Sequence, residues 1–133
     1  MRIGPDGRVA GARYVASPNC DARPAGSRIS LVVLHSISLP PGRYGGDAIE
    51  RLFTNQLDPL AHPYFREIAH MRVSAHFLVR RDGALVQFVP LAKRAWHAGV
   101  SRWRGAERCN DFSVGVELEG TERARFSDAQ YRC

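Results

Sequence analysis

Four stretches of the chain order their apolar residues in ways that predict β-strands. Residues 31–34 are continuously apolar, which is typical of a strand buried on both faces. Residues 76–80 and 85–89 flank an Asp-Gly pair at Asp82, and this arrangement predicts an antiparallel hairpin. In Ser113–Glu119, apolar and polar residues alternate, so we expect a half-buried strand with one polar face.

Three helices are predicted from their starting residues. Asp47, followed by Glu50, is typical of an N-cap pair that opens a short helix. Pro63 is tolerated in a first helical turn and precedes apolar residues at helical spacing. Ser127 and Gln130 have the spacing of a capping box, which predicts a third helix near the end of the sequence.

These elements predict an α/β (α+β) fold in which a mixed β-sheet is flanked by helices. A chain of 133 residues that is 44% hydrophobic can bury one core, so we expect a single domain over residues 1–133. Residues 1–28 are rich in Gly, Pro and Arg and are expected to form an extended lead-in. The third helix reaches Cys133 before it gains length or an apolar face, so we expect the domain to be incomplete there.

Charge and cysteine content narrow the class of protein. The net charge is +6, and every basic residue except Lys93 is an arginine, which suits small anionic ligands better than nucleic acid because no basic run is present. No apolar stretch approaches the roughly 20 residues of a membrane span, and the start lacks a signal-peptide core, so a cytoplasmic protein without membrane attachment is expected. The 3 cysteines form no CxxC pair and are expected to be free thiols.

Two residues could carry chemistry at strand positions. His35 follows the most apolar strand, and it is either a ligand group or a hydrogen-bonded core histidine. Glu117 lies on the polar face of Ser113–Glu119. It is either a general base, with a pKa that burial raises toward neutrality, or a solvated carboxylate on an exposed strand face. His76 and His97 admit a third alternative, a substitute zinc site together with His35, although their spacing matches no metal motif.

Several longer segments are distinctive in combination. They are SPNCDARP, LVVLHSISLPPGRYGG, LFTNQLDPLAHPYF, IAHMRVSAHFLVRRDG, LVQFVPLAKRAWHAGVS and ERCNDFSVGVELEGT. From about Val15 to Tyr131, the chain resembles the cytosolic N-acetylmuramyl-L-alanine amidases of the AmpD type, which act on 1,6-anhydro muropeptides in cell-wall recycling.

The resemblance implies a zinc hydrolase that cuts the bond between muramic acid and L-alanine. It assigns a zinc-ligand role to His35 and the catalytic acid/base role to Glu117. The residues that it places in the substrate groove are Ser36, where the family often has asparagine, Arg72, Trp96 and Arg108.

The resemblance also leaves the metal site unfinished. The family's other ligands follow the third helix, so the remaining zinc ligands are expected beyond Cys133. The expected partner is a small anionic muropeptide bound by a monomer. Two hypotheses remain: the chain is part of an active amidase, or it is a non-catalytic muropeptide-binding module that uses Trp96 and the arginines.

Overall fold

The structure is a computed structural model that describes residues 1–133. Its centre is a five-stranded sheet in which β4 and β5 are antiparallel and the other three pairs of neighbours are parallel. The predicted mixed sheet is therefore confirmed. In spatial order, the strands are β1 (Arg13–Tyr14), β5 (Leu85–Gln87), β4 (Phe77–Val79), β9 (Ser113–Glu119) and β3 (Leu31–Ile37).

Smaller elements surround this sheet. β2 (Cys20–Ala22) pairs with β6 (Lys93–Ala95), and β7 (Arg102–Trp103) pairs with β8 (Ala106–Glu107). The helices are α1 (Ala48–Phe53), α2 (Pro63–Ile68) and α3 (Asp128–Arg132), and a 3-10 turn covers Cys109–Asp111. None of these helices has the length and apolar character needed to cross a membrane.

The hydrophobic core lies between the sheet and helices α1 and α2. Phe53 of α1 meets Phe88 edge-on, with ring centroids 5.1 Å apart, and Leu78 and Phe88 are fully buried beneath the helices. The short helix predicted after Asp47 is confirmed as α1, and its residues Ile49, Leu52 and Phe53 all belong to this core. Burying side chains of this size stabilises the fold by roughly 1.5–3 kcal/mol each.

The three predicted helix N-termini are all present, but their capping hydrogen bonds differ. Ser127 accepts a hydrogen bond from the Gln130 amide, and the Gln130 side chain accepts one from the Ser127 amide, so the predicted capping box is complete. His62 caps α2 before Pro63. Asp47 stands at the N-cap of α1 but forms no capping bond, because its carboxylate accepts from Arg51 at 2.7 Å. All three cysteines are free, as expected.

The prediction that residues 31–34 are buried on both faces is wrong. β3 is an edge strand, and Val32 and Leu34 are 60% and 64% exposed. These two residues lie on one face of β3, and that face stays open to solvent. An apolar run alone does not distinguish this edge position from a central strand.

The half-buried, alternating strand expected for β9 is confirmed. The strand is half-buried, but its polar face is the inner one: Ser113, Gly115 and Glu119 are buried, whereas Val114 and its apolar neighbours are only half-buried. Glu119 tolerates burial because Arg80 donates to it at 3.1 Å and the Gly45 amide donates at 2.7 Å. Pairing of this kind offsets the cost of burying a charge.

The first 28 residues are more ordered than the sequence suggests. β1 adds a parallel strand to the edge of the main sheet beside β5, and β2 pairs with β6. Arg94 on β6 binds both oxygens of Asp21 at 2.7 Å, and it donates to Asp111 at 2.6 Å. The hydrogen bonds from Arg94 hold the pKa of Asp21 below its usual range. The lead-in is therefore part of the domain.

Candidate active site

The candidate active site lies near the carboxyl ends of two parallel strands. His35 on β3 and Glu117 on β9 are register partners, so their side chains leave the same face of the sheet. Neighbouring strands are roughly 5 Å apart, which places an imidazole beside a carboxyl group. Sheets with parallel strands commonly bind ligands at this edge.

The Glu117 side chain is half-buried, and one of its carboxyl oxygens is buried without a polar partner. Its Oε2 atom is shielded from solvent and has no hydrogen-bond partner. Burial raises the pKa of Glu117 to about 7, since the charged form loses its hydration. A carboxyl group with this pKa can both take up and release a proton near neutral pH, as a general base requires.

His97 meets His35 in the same region. The His97 Nδ1 atom lies 3.0 Å from His35 Nε2, and its Nε2 atom lies 2.9 Å from the Ser113 hydroxyl. Burial, with smaller contributions from nearby positive groups, lowers the pKa of His97 to about 3, and burial also lowers the pKa of His35. Both imidazoles are therefore neutral near pH 7.

His76 lies close to His97 but takes no part in a metal-binding cluster. Its Nδ1 atom accepts from the Gly115 amide at 3.1 Å, and its Nε2 atom lies 3.0 Å from the Lys93 carbonyl and 3.2 Å from the Arg23 guanidinium. Burial lowers the pKa of His76 to about 4. Both ring nitrogens are occupied, so the substitute zinc site with His35 and His97 is not formed.

A groove of about 460 Å³ opens beside Glu117. Ser36, Trp96 and Glu117, three of the predicted site residues, line this groove together with His97. The groove is also lined by apolar residues from the loop after β3, from α2 and from the segment that follows α2, and we call these residues its apolar wall: Leu39, Tyr64, Ile68, Met71 and Val73. The groove thus places apolar surface beside a protonatable carboxyl group, which suits a ligand that has both characters.

Two predicted groove residues lie outside the groove. Arg72 is exposed between two lining residues, and its guanidinium donates to the His70 carbonyl at 3.2 Å. Arg108 is exposed in a separate shallow depression, with its Nε atom 3.4 Å from Asp111. The substrate-contact role of these two arginines stays a prediction.

The contact of His97 with His35 is not indicated by the sequence. The two residues are 62 positions apart, and one lies on a strand while the other lies in a turn. By its residue types alone, the Ala95-Trp96-His97-Ala98-Gly99 turn indicates only a place where a ligand could stack. No local spacing could reveal this contact, because β3, β9 and the turn meet only in the folded sheet.

Similarity to known proteins extends over most of the chain. The family model for N-acetylmuramoyl-L-alanine amidase matches residues 25–133. This chain belongs to the N-acetylmuramoyl-L-alanine amidase family. The predicted hydrolase class and amidase-like fold are thereby confirmed.

Individual relatives of this amidase are highly similar. The chain is 60% identical to the Escherichia coli 1,6-anhydro-N-acetylmuramyl-L-alanine amidase AmpD, over 95% of this chain and 69% of that protein. It is 61% identical to the Citrobacter freundii AmpD, over 96% of this chain and 68% of the relative. The crystal structure of a selenomethionine AmpD derivative superposes with a TM-score of 0.96 at 59% identity, covering 99% of this chain and 73% of that one.

The amidase family is generally zinc-dependent, and the residues of this chain fit only part of such a site. The Nδ1 atom of His35 has no hydrogen-bond partner, so in the tautomer that carries its proton on Nε2 the Nδ1 lone pair is free to bind a metal. No group of three His, Cys, Asp or Glu residues comes together that could hold a metal ion, whereas a catalytic zinc site uses three protein ligands. His35 therefore fits one ligand position, and no complete site is formed by these residues.

Proposed function

We propose that this amidase cleaves the amide bond between 1,6-anhydro-N-acetylmuramic acid and L-alanine in muropeptides, as part of peptidoglycan recycling. The observation that carries the proposal is the Glu117 carboxyl group, which lines the groove and has one buried oxygen without a polar partner and a pKa raised by burial to about 7. The substrate is inferred from the names and the high identity of the AmpD relatives.

Glu117 is proposed as the proton carrier of the reaction. Its carboxylate takes a proton from the water that attacks the amide carbonyl carbon, and the O–C bond forms. The same carboxyl group then returns the proton to the nitrogen of L-alanine as the C–N bond breaks. The products are a free muramic carboxylic acid and a peptide with a free amino terminus, so one water is consumed for each bond cut.

His35 is proposed as a zinc ligand of this site. Zinc, when bound, polarises a carbonyl group and makes water more acidic. Because these residues contribute only His35, the remaining ligands are expected from a segment outside residues 1–133. This expectation agrees with the 68–69% of the relatives' length that the chain spans.

The groove and the exposed arginines are proposed to bind the two ends of the substrate. Trp96 and the apolar wall would contact the sugar, while Arg72 and Arg108 would meet peptide carboxylates at the rim, where guanidinium groups pair well with them. We further propose that the protein acts as a monomer in the cytoplasm on these small anionic ligands. Size-exclusion chromatography and cell fractionation test those two statements.

A cleavage assay with an anhydro-muropeptide tests the proposal. Release of the free peptide is measured for the chain alone and for a chimera completed with the segments of the E. coli relative that lie outside the match. We expect little release by the chain alone and zinc-dependent release by the chimera. In the chimera, Glu117→Gln should slow release by about 10²- to 10⁴-fold, whereas Glu67→Gln, on the exposed side of α2, should not.

The result that overturns the proposal is a folded, zinc-loaded chimera without cleavage, or one that tolerates Glu117→Gln. The second hypothesis, a non-catalytic binding module, shares the groove with the amidase proposal and differs from it only in the absence of cleavage. Calorimetric binding of the anhydro-muropeptide, together with an inactive chimera, would select that hypothesis.

A further inference from the structure

We propose that His97 is a positioning residue for His35, which it holds in one orientation and one tautomer with Nδ1 directed away from the contact. The inference rests on the proposed function, because a fixed orientation of the His35 imidazole matters most when His35 is a metal ligand. It does not depend on the identity of the substrate. The carrying observation is the chain of contacts from Ser113 through His97 to His35.

The four ring nitrogens of His35 and His97 differ in their hydrogen-bond partners. His35 Nε2 lies 3.0 Å from His97 Nδ1, and this is the only hydrogen bond of the His35 side chain. His97 Nε2 is occupied in turn by the Ser113 hydroxyl at 2.9 Å. His35 Nδ1 therefore remains the one nitrogen of the pair without a protein partner.

His97 is itself held from three sides. The Asn110 side-chain oxygen accepts from the amides of His97 and Ala98, at 3.2 and 2.9 Å, and fixes the turn. Ser113, which is fully buried, binds the far ring nitrogen. Beneath the ring lies Gly115, where an added Cβ would come within 2.4 Å of two ring carbons. The space for this imidazole exists only because residue 115 has no side chain.

This arrangement restricts the protons of the pair. A single hydrogen lies between the two imidazoles, and we assign it to His35 Nε2, because the opposite order would leave an Nδ1–H donor on His35 without a protein acceptor. When a cation occupies His35 Nδ1, the order is determined: His35 Nε2–H donates to His97 Nδ1, and His97 Nε2–H donates to the Ser113 oxygen. Histidine ligands generally anchor their second nitrogen in this way, and loss of the anchor typically costs 10- to 100-fold in metal affinity or activity.

Nitrogen NMR of the histidine rings tests the proposal on the whole chain. In protein labelled with ¹⁵N-histidine, long-range ¹H–¹⁵N spectra distinguish a protonated ring nitrogen from an unprotonated one. We expect widely separated nitrogen shifts for His35 in the wild type, as a single tautomer requires. In His97→Leu, which fills the space but offers no polar atom, the two shifts should move toward each other as both tautomers become populated.

His97→Asn provides the rescue. Its side-chain amide can place a polar atom near the position of Nδ1, so the separated His35 shifts should largely return although less volume is filled. The same spectra follow His35 during a ZnCl₂ titration, where His97→Leu should weaken zinc binding at His35 by about tenfold. Thermal unfolding of each variant reports packing separately, and there His97→Leu should be closer to the wild type than His97→Asn.

Averaged His35 shifts in the wild type would overturn the proposal, as would unchanged shifts and zinc affinity in His97→Leu. These measurements contain no muropeptide, so their outcome is independent of the cleavage assay. A locked His35 in an inactive chimera would remove the proposed function alone. An active chimera with an averaged His35 would remove only the positioning role of His97.

Discussion

Glu117 and His35 occupy register-paired positions on two parallel strands, and the carboxyl group is the member of the pair that lacks a polar partner. An unpartnered carboxyl group is costly to bury in its charged form. The same burial that makes the charged Glu117 carboxylate costly for folding also raises its pKa toward neutrality, as the proposed proton transfer requires.

Replacing Glu117 should reveal this cost as a pH-dependent gain in stability. The pKa of Glu117 rises from 4.5 to about 7 on folding, so between these values the unfolded chain releases a proton that the folded chain retains. Stability therefore falls as pH rises through this window and stays lower above it. In the metal-free protein, Glu117→Gln should be more stable than the wild type at pH 8, by at most about 3 kcal/mol, and equal to it below pH 4.5.

Urea unfolding at pH 4 and pH 8 measures the difference between the two proteins. Glu67→Gln on the exposed side of α2 serves as the matched control and should show no such pH-dependent difference. A stability difference for Glu117→Gln that is the same at both pH values would contradict the prediction.

Gly115→Ala should displace the His97 ring. The added methyl group would lie 2.4 Å from two ring carbons, closer than any stable contact, and overpacking of this kind costs about 1–3 kcal/mol. The double variant Gly115→Ala/His97→Ala removes the clash, so it should be more stable than the sum of the single changes predicts. Free energies of unfolding for the four proteins form the test, and strict additivity would show that the ring and residue 115 do not compete for space.

The chain of 133 residues should bind zinc weakly. No three His, Cys, Asp or Glu residues come together as ligands, and three protein ligands are typical of a catalytic site. After dialysis against metal-free buffer, elemental analysis should find well below one zinc per chain. Calorimetry with ZnCl₂ should show further weakening in His35→Ala but not in His70→Ala, an exposed control. One tight zinc per chain that survives dialysis would refute this prediction.

Substrate affinity should depend on Trp96 through packing and on the two exposed arginines through charge. Trp96→Ala removes aromatic surface from the groove and should weaken muropeptide binding by about tenfold, or about 1.4 kcal/mol. Arg72→Ala and Arg108→Ala should weaken it less, and their effect should shrink at high salt because both guanidinium groups are exposed. Calorimetry at two salt concentrations separates these effects, with Arg102→Ala, already paired with Glu107, as control.

Ser127→Ala should destabilise the docking of α3 on the sheet. The Ser127 hydroxyl accepts from the Gln130 amide, and the Gln130 side chain donates to the Glu119 carbonyl at 2.9 Å. Loss of an N-cap costs about 0.5–2 kcal/mol. Ser127→Thr keeps the hydroxyl and should retain most of the stability, as judged by thermal unfolding. Equal losses in the alanine and threonine variants would mean that the cap is not the stabilising feature.

Much of the local structure was predictable from the sequence. The bounds of Ser113–Glu119, the hairpin around Asp82 and the capping box at Ser127 depend on neighbouring residues alone, because alternation, turn geometry and capping are short-range properties. The six longer segments, taken together, also indicate the amidase family, because this resemblance depends on the sequence alone.

The tertiary structure decided what those residues meet. Alternation in β9 separates two faces but does not say which one turns inward, and here the polar face does, because Arg80 compensates the charge of Glu119. The run at residues 31–34 resembles a central strand, yet β3 lies at the edge. The contact of His97 with His35 depends on the packing of a turn against two strands, which is a long-range arrangement that no sequence period encodes.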